Sequence, residues 1–287
     1  MEIQLIEQGE SSGLRWGVRH RLEFIEFRLY WGGTVNRSDL MERFDISINQ
    51  ASGDLTRYQA MAPNNIRYDK SGKCYRAGPG FEPVVLMPDS DRYLAWLRLA
   101  ADGIVADAGL SQTDLPPFAT VPTPRRAVPP ETLRTVVTAI RQRQALAVRY
   151  QSMTSATPTD RWIEPHALAF DGFRWHARSW CCRDGAFKDF VLGRILCVTD
   201  QAKAESDPDL DAQWRQMILL EIVPHRHLSP PQRAAIERDY GMEDGVLSLT
   251  VREALLYYAE RRLGLDIDPD HRSPEKQHIE IKHRIRL

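Results

Sequence analysis

Between Ser111 and Pro130 the chain carries Pro116, Pro117, Pro122, Pro124, Pro129 and Pro130. Proline has no backbone donor and a fixed φ, so a stretch this rich in it cannot continue a helix or a central strand. The stretch reads as an extended linker, and it obliges a chain of 287 residues to fold as separate units on either side. A length of that order suggests two domains, or three if one is a small terminal module.

Composition narrows the class without deciding it. Hydrophobic residues make up 43% and charged residues 27%, as in ordinary soluble globular proteins. No apolar run approaches the roughly 20 residues that cross a bilayer. The start, Met1-Glu-Ile-Gln-Leu-Ile-Glu7, is acidic and lacks the basic-then-apolar layout of a secretion signal. The expectation is a cytoplasmic protein with no membrane partner. Cysteines stand at 74, 181, 182 and 197 with no CxxC pair, which points to core thiols rather than a disulfide framework, a metal or another cofactor. The net charge of −1 excludes a wholly basic binder, although a local basic face would suffice for DNA.

Before the linker, the pattern gives three helices and a hairpin. Val18, Leu22, Ile25 and Leu29 recur at helical spacing, widened by Phe24 and Phe27, and Gly32-Gly33 stops the run. Asn36 caps a short second helix that buries Leu40, Met41 and Phe44. Ser47-Ile-Asn-Gln50 is a capping box that opens a third helix reaching about Met61. Ile66–Tyr68 and Cys74–Arg76, joined by a turn with Gly72, form the hairpin. This is the order of a winged helix-turn-helix, whose third helix commonly enters the DNA major groove. On that reading Ser47, Asn49, Gln50, Ser52, Thr56 and Arg57 face the DNA, with Arg67, Lys70 and Lys73 on the wing beside the backbone. Asn and Gln suit adenine, Arg suits guanine, and Ser or Thr suits phosphate. A winged helix used for protein contacts is the alternative, and Asp54 in mid-helix argues for it.

Residues 81–130 read as connective, with a helix over Asp91–Ala101 and an Arg125-Arg126 pair facing solvent. Beyond them lies an amphipathic helix over Glu131–Gln144. Short alternating runs follow at Leu146–Tyr150, Arg161–His166, Trp175–Arg178 and Phe190–Ile195. Alternation sends one set of side chains to a core, and Trp175 reads as part of it. The other set contains Arg161, Arg178, Arg194, His166, His176 and Tyr150. Guanidiniums on neighbouring strands repel unless an anion or a carboxylate lies between them. They therefore bind a polyanion such as a phosphate or nucleic-acid strand, or pair with Glu164, Asp171 or Asp189.

After an acidic spacer, the chain predicts a strand over Trp214–Val223 and a capped helix from Ser229-Pro-Pro-Gln232 to Gly241. A strand at Val246–Thr250, a helix opened by Thr250 and a closing strand with Ile279, Ile281, Ile285 and Leu287 inward complete it. No catalytic motif is convincing: there is no Walker A loop, GxSxG or HExxH. His225-Arg-His227 reads as exposed loop, and Cys182 near His176 is a weak case for a thiol nucleophile.

The whole layout resembles the WYL-domain transcription regulators, and among them the compact repressors encoded beside BREX and CBASS anti-phage systems. The resemblance rests on Ser47–Tyr58, Pro165-His166, Trp175-His-Ala-Arg178 and Phe190-x-Leu-x-Arg194-Ile195. Only the tryptophan of the family's three-letter signature is kept, since His176-Ala177 replace Tyr-Leu, and this makes the pocket more polar.

It implies an α+β chain with a winged helix-turn-helix over 1–80 and a helical, proline-rich linker over 81–130. A small β-rich, Sm-like WYL domain over 131–204 and an α/β extension over 205–287 that dimerises the chain would follow. It implies a homodimer on an inverted-repeat operator in double-stranded DNA, repressing a phage-defence operon and answering to a nucleic-acid or nucleotide effector. The effector pocket it implies is Tyr150, Ser152, Arg161, His166, His176, Arg178 and Arg194. An activator responsive to single-stranded DNA, or an enzyme acting on nucleic acid, stays open beside it.

Overall fold

A computed structural model describes residues 16–103, 115–122, 124 and 126–287. The acidic start, residues 111–114 of the proline-rich stretch and Arg125 lie outside the described residues. The chain forms two compact units, Met1–Thr123 and Pro124–Leu287.

In the first unit, helices α1 (Trp16–Gly32), α2 (Arg37–Phe44) and α3 (Ile48–Met61) enclose a core of Leu22, Ile25, Leu29, Leu40, Leu55 and Tyr58. Both later helices start on reciprocal capping boxes, Asn36 with Asp39 and Ser47 with Gln50. Asp45, in the left-handed region at φ 51°, makes the turn between them. Strands β1 (Thr34–Val35), β2 (Ile66–Asp69) and β3 (Cys74–Ala77) form a sheet in the order β1-β3-β2. Asp54, the residue that argued against a DNA surface, points inward and takes Arg21 Nε at 2.6 Å. Its charge is neutralised inside the module and stays off the exposed face.

A buried carboxylate fixes the chain that leaves the wing. Glu26, fully buried on α1, accepts the Tyr58 hydroxyl at 2.8 Å and the backbone amides of Val84 and Val85 at 2.8 and 2.7 Å, as well as that of Leu86. Asn65 clasps Glu82 through both its backbone amide and its carbonyl. Helix α4 (Ser90–Ala101) then packs back on this unit, with Tyr93 stacked on Trp31 of α1 at 4.2 Å. Residues 81–101 are thus part of a packed unit rather than merely connective.

In the second unit, α5 (Pro130–Gln142) covers one face of a five-stranded antiparallel sheet ordered β7-β6-β5-β4-β8. The strands are β4 (Gln144–Tyr150), β5 (Thr159–Phe170), β6 (Trp175–Cys181), β7 (Ala186–Val191) and β8 (Ile195–Lys203). Val136 and Ala139 of the helix meet Leu146, Val148, Ile163, Ala177, Cys181 and Phe190. A β-bulge between Pro165 and Ala167 shifts the β5 register against β6. Trp175 does not join this core: it lies at the strand start, half exposed against Phe170.

The extension adds a short helix α6 (Ala212–Arg215), strand β9 (Met217–Pro224), helix α7 (Pro230–Asp239), strand β10 (Leu247–Arg252), helix α8 (Glu253–Arg262) and strand β11 (Ile279–Arg286). Its sheet runs β10-β9-β11, over a core of Leu220, Ile222, Leu265 and Ile279. Several local expectations are corrected here. Trp214 sits in α6, because the Asp211 carboxylate caps that turn through the Trp214 amide. Thr250 opens no helix, since its strand stays paired with β9 as far as Arg252. A bulge between Ile281 and His283 breaks the alternation of β11, so Ile285 and Leu287 are exposed. His225, in the loop after β9, is fully buried rather than exposed, and Cys182 and Cys197 are exposed rather than core thiols. No described helix is long and apolar enough to cross a membrane.

Glu26→Ala should therefore destabilise the first unit by ~3 kcal/mol or more, because each buried donor left without an acceptor costs ~1–3 kcal/mol. Denaturant unfolding of the full chain measures this. An unchanged transition would mean that the 84–86 segment does not depend on the carboxylate.

Candidate nucleic-acid interface and anion cavity

Helix α3 buries Ala51, Asp54, Leu55 and Tyr58, so helical geometry turns Asn49, Gln50, Gly53, Thr56 and Arg57 to solvent. These side chains are not equally available. Ser47 Oγ and Gln50 Oε1 are engaged in the capping box, which leaves Gln50 its amide nitrogen. Ser52 donates its hydroxyl to Ile48 O at 2.8 Å and Thr56 donates to Ser52 O at 2.9 Å. With those hydrogens used inside the helix, Ser47, Ser52 and Thr56 are poor partners for phosphate, which needs a donor. Asn49 and Arg57 are exposed and make no side-chain hydrogen bond among the described residues.

The wing carries exposed Arg67, Lys70 and Lys73. Its turn is held by Asp69, which accepts the Ser71 and Gly72 amides at 2.9 and 3.1 Å and Arg76 Nε at 2.6 Å. The Arg76 guanidinium, and then the Gly72 amide, hold the Asp69 carboxyl below its ordinary range. Arg76 is therefore tied up, while both lysines at the tip are free of carboxylates among the described residues.

In the second unit the seven residues implied as an effector pocket divide into two groups. Tyr150, Ser152, Arg161, His176 and Arg194 line one cavity of about 520 Å³. The Arg161 guanidinium lies 5.4 Å from the Tyr150 ring and 5.8 Å from that of Phe190, and donates Nη2 to Thr159. The Tyr150 hydroxyl accepts the Val191 amide at 3.2 Å, and Arg194 is the last residue of the 3-10 turn that follows, 192–194. Neither Arg161 nor Arg194 has a carboxylate partner among the described residues. Ser152 closes a small loop through its contact with Thr154. An unpaired guanidinium on an aromatic floor, with a second lining the same cavity, can attract an oxyanion.

His166 and Arg178 do not line that cavity, which corrects the expectation for both. Arg178 is buried and grips Asp211 through Nε at 2.7 Å and Nη2 at 2.9 Å, with Gln213 and Asp189 as further acceptors. His166 Nε2 meets the same Asp211 at 3.0 Å, between the rings of Phe187 and Trp214. Burial alone would raise the Asp211 carboxyl, yet the Arg178 guanidinium holds it below its ordinary range. Burial also lowers His166, outweighing the pull of Asp211 in the other direction. Of the carboxylates expected beside the arginines, Asp189 does reach Arg178. Asp171 takes Arg174 instead, and Glu164 takes the amides of Glu205 and Ser206.

Cavity residues missed by sequence reasoning include Arg174, Tyr258, and Arg183 and Lys188, which both pair with Asp184 at 2.8 Å. Tyr258 comes from α8 in the extension and donates to Asp189 Oδ2 at 3.1 Å, and no local pattern signals such a pairing. Desolvation and then the Glu164 carboxylate push the Cys182 thiol up to about 11, which disfavours the thiolate a nucleophile needs. The described residues contain no group of three or more His, Cys, Asp or Glu placed to hold a metal.

Comparison with known proteins adds independent information. Residues 17–99 match the BrxR transcriptional regulator winged helix-turn-helix domain, 131–200 the WYL domain, and 217–287 the BrxR transcriptional regulator C-terminal dimerization domain. The chain is 42% identical over 278 residues to the DNA-binding transcriptional repressor CapW of Stenotrophomonas maltophilia, covering 96% of this chain and 93% of that one. CapW of Escherichia coli (strain KTE188) is 38% identical over 96% of this chain and 93% of its own length, and CapW of Pseudomonas aeruginosa 38% over 95% and 91%.

The Arg178–Asp211 pair yields two expectations. Arg178→Ala should cost ~3–5 kcal/mol in denaturant unfolding, because it strands a buried carboxylate. A loss below ~1 kcal/mol would show that water or another cation replaces it. His166 also makes the second unit acid-sensitive. Its folded pKa lies below the ordinary 6.5, so its contribution is complete above that value and is lost as pH falls through the folded one. A stability profile across this window should flatten in His166→Gln, and an identical slope in the variant would assign the sensitivity elsewhere.

Proposed function

Because this chain belongs to the family of CapW DNA-binding transcriptional repressors with BrxR-type winged-helix and C-terminal dimerization domains, we propose that it is a homodimeric repressor of a phage-defence operon. One observation carries the assignment of the reading surface. Asn49, the Gln50 amide nitrogen and Arg57 stand exposed on α3, beside a wing with Arg67, Lys70 and Lys73 at or near its tip. Asn or Gln can address an adenine edge and Arg a guanine edge, while the wing cations neutralise phosphates. In a homodimer the two helices are related by a two-fold axis, and an inverted repeat in double-stranded DNA meets that symmetry.

The cavity around Arg161 and Arg194 is the effector site in this reading. The Arg161 guanidinium over the Tyr150 and Phe190 rings, with Arg194 lining the same cavity and neither paired with a carboxylate among the described residues, favours a phosphate-bearing ligand such as a nucleotide or nucleic-acid strand. The ligand relieves repression if it binds the DNA-free conformation more tightly than the DNA-bound one. Repression is favoured over activation because the relatives are named repressors, and binding rather than catalysis is the role assigned to both surfaces.

Binding to duplex DNA from immediately upstream of the chain's own gene, over a salt series with random competitor, tests the reading. Saturable, selective binding to one inverted repeat is expected, and binding no tighter than to random DNA would reject it. Arg57→Ala or Asn49→Ala should each weaken specific binding by about 1–3 kcal/mol. Lys70→Ala and Lys73→Ala should weaken all sequences alike and each reduce the salt slope by about 1. Unchanged operator affinity in both α3 variants would move the reading surface off this helix.

A further inference from the structure

Gly53 lies exposed in the interior of α3, where the fold would accept a side chain. Its backbone is helical rather than left-handed, so no turn requires a glycine there. Nothing among the described residues comes within 4 Å of the place a Cβ would occupy, so no packing contact requires one either. Ala51, Asp54 and Leu55 already supply the buried side of the helix around it. Glycine in a helix interior loses more backbone entropy on folding than alanine does, and it weakens the helix. What it offers instead is close approach of the backbone to another molecule.

The position of Gly53 on the helix indicates which molecule. Asn49 and Arg57 stand four residues to either side, hence on the same face, and both are exposed. An α-helix rises ~1.5 Å per residue, so about 6 Å of axis separates Gly53 from each. The gap therefore opens between the two side chains assigned to base edges. It has no donor of its own, since glycine lacks a side chain and its amide belongs to the helical ladder. Thr56, at the rim, donates its hydroxyl inward to Ser52 O at 2.9 Å. A recess lined in this way suits an apolar projection. In the major groove the base edges carry one such group, the C5-methyl of thymine. An adenine read by Asn49 brings a thymine with it, whose methyl projects into the same groove.

We infer that Gly53 determines specificity: it leaves a recess on α3, between Asn49 and Arg57, that takes the C5-methyl of an operator thymine. This deepens the repressor reading and rests on α3 being the helix that enters the groove. The methyl meets the bare Cα, the helix settles against the base edges, and Asn49 and Arg57 come within reach of their bases. A Cβ at position 53 would occupy the space of the methyl and hold the helix off the groove. Stability and recognition therefore make opposite demands on this residue.

Two full-length variants, Gly53→Ala and Gly53→Leu, test the inference on duplex DNA from immediately upstream of the chain's own gene. Alanine is the better helix former, so the first unit should melt about 2–8 °C higher in Gly53→Ala. Operator affinity should nonetheless fall by about tenfold or more in Gly53→Ala, and further in Gly53→Leu. Affinity for random DNA, which phosphate contacts supply, should stay unchanged. Replacing operator thymines one at a time with deoxyuridine, which removes only the methyl, locates the contact. One position in each half-site should weaken wild-type binding by about fourfold. The same replacement should restore part of the affinity that Gly53→Ala loses. A lower melting temperature in Gly53→Ala would mean that the fold itself needs the glycine, and would overturn the inference. So would undiminished operator binding by both variants, or a loss that no deoxyuridine position relieves. Each of these failures, with selective binding by the wild-type protein intact, removes the inference alone. A wild-type protein that selects no operator removes the repressor reading and the inference together.

Discussion

The grip of Arg178 on Asp211 determines how the second unit is put together. A guanidinium on the middle of a sheet, away from water, is tolerable only with its charge balanced and its donors satisfied. Asp211 satisfies that need from the start of the extension, and its backbone-capping role at α6 fixes the carboxylate in turn. The sheet thus has two unlike faces. One is the apolar core under α5, and the other is a polar face closed by the extension. His166, Gln213 and Asp189 complete the cluster, and Tyr258 adds a second tie through Asp189.

The first unit uses a buried charge in the same way. Glu26 draws in three consecutive amides of a segment that has no strand partner of its own, and so binds residues 84–86 to α1. In both units an ionised side chain organises backbone that neither helix nor sheet would satisfy. These charges belong to the architecture. Cations without a carboxylate partner among the described residues include Arg57, Arg67, Lys70 and Lys73 in one unit and Arg161 and Arg194 in the other.

That division has a functional consequence. Because Asp189 faces the cavity while bonded to both Arg178 and Tyr258, the cavity floor is continuous with the contacts that hold the extension. A ligand there lies against the same carboxylate that the C-terminal part of the chain depends on. Two hydrogen bonds, to Arg178 and to Tyr258, thus join a carboxylate lining the cavity to the residues that hold the extension.

Much of the local structure was legible in the sequence, since it rests on interactions between near neighbours. The capping box Ser47–Gln50, the helical spacing of Leu22, Ile25 and Leu29, and the alternation in Leu146–Tyr150 each carry their own signal. The order of these pieces sufficed to suggest the family. The site was only partly legible: composition and alternation collected the arginines and histidines, but could not say which of them would be paired. Asp211 stands 33 residues from Arg178, and Tyr258 stands 69 from Asp189, so neither pairing has a periodic trace. The bulges at Pro165 and at Ile281 likewise shift which side chains face inward by a rule that only the neighbouring strand imposes. The sequence alone determined the elements and the supply of charged groups. The tertiary structure decided which charges neutralise one another in the interior, because that depends on distances between residues remote along the chain.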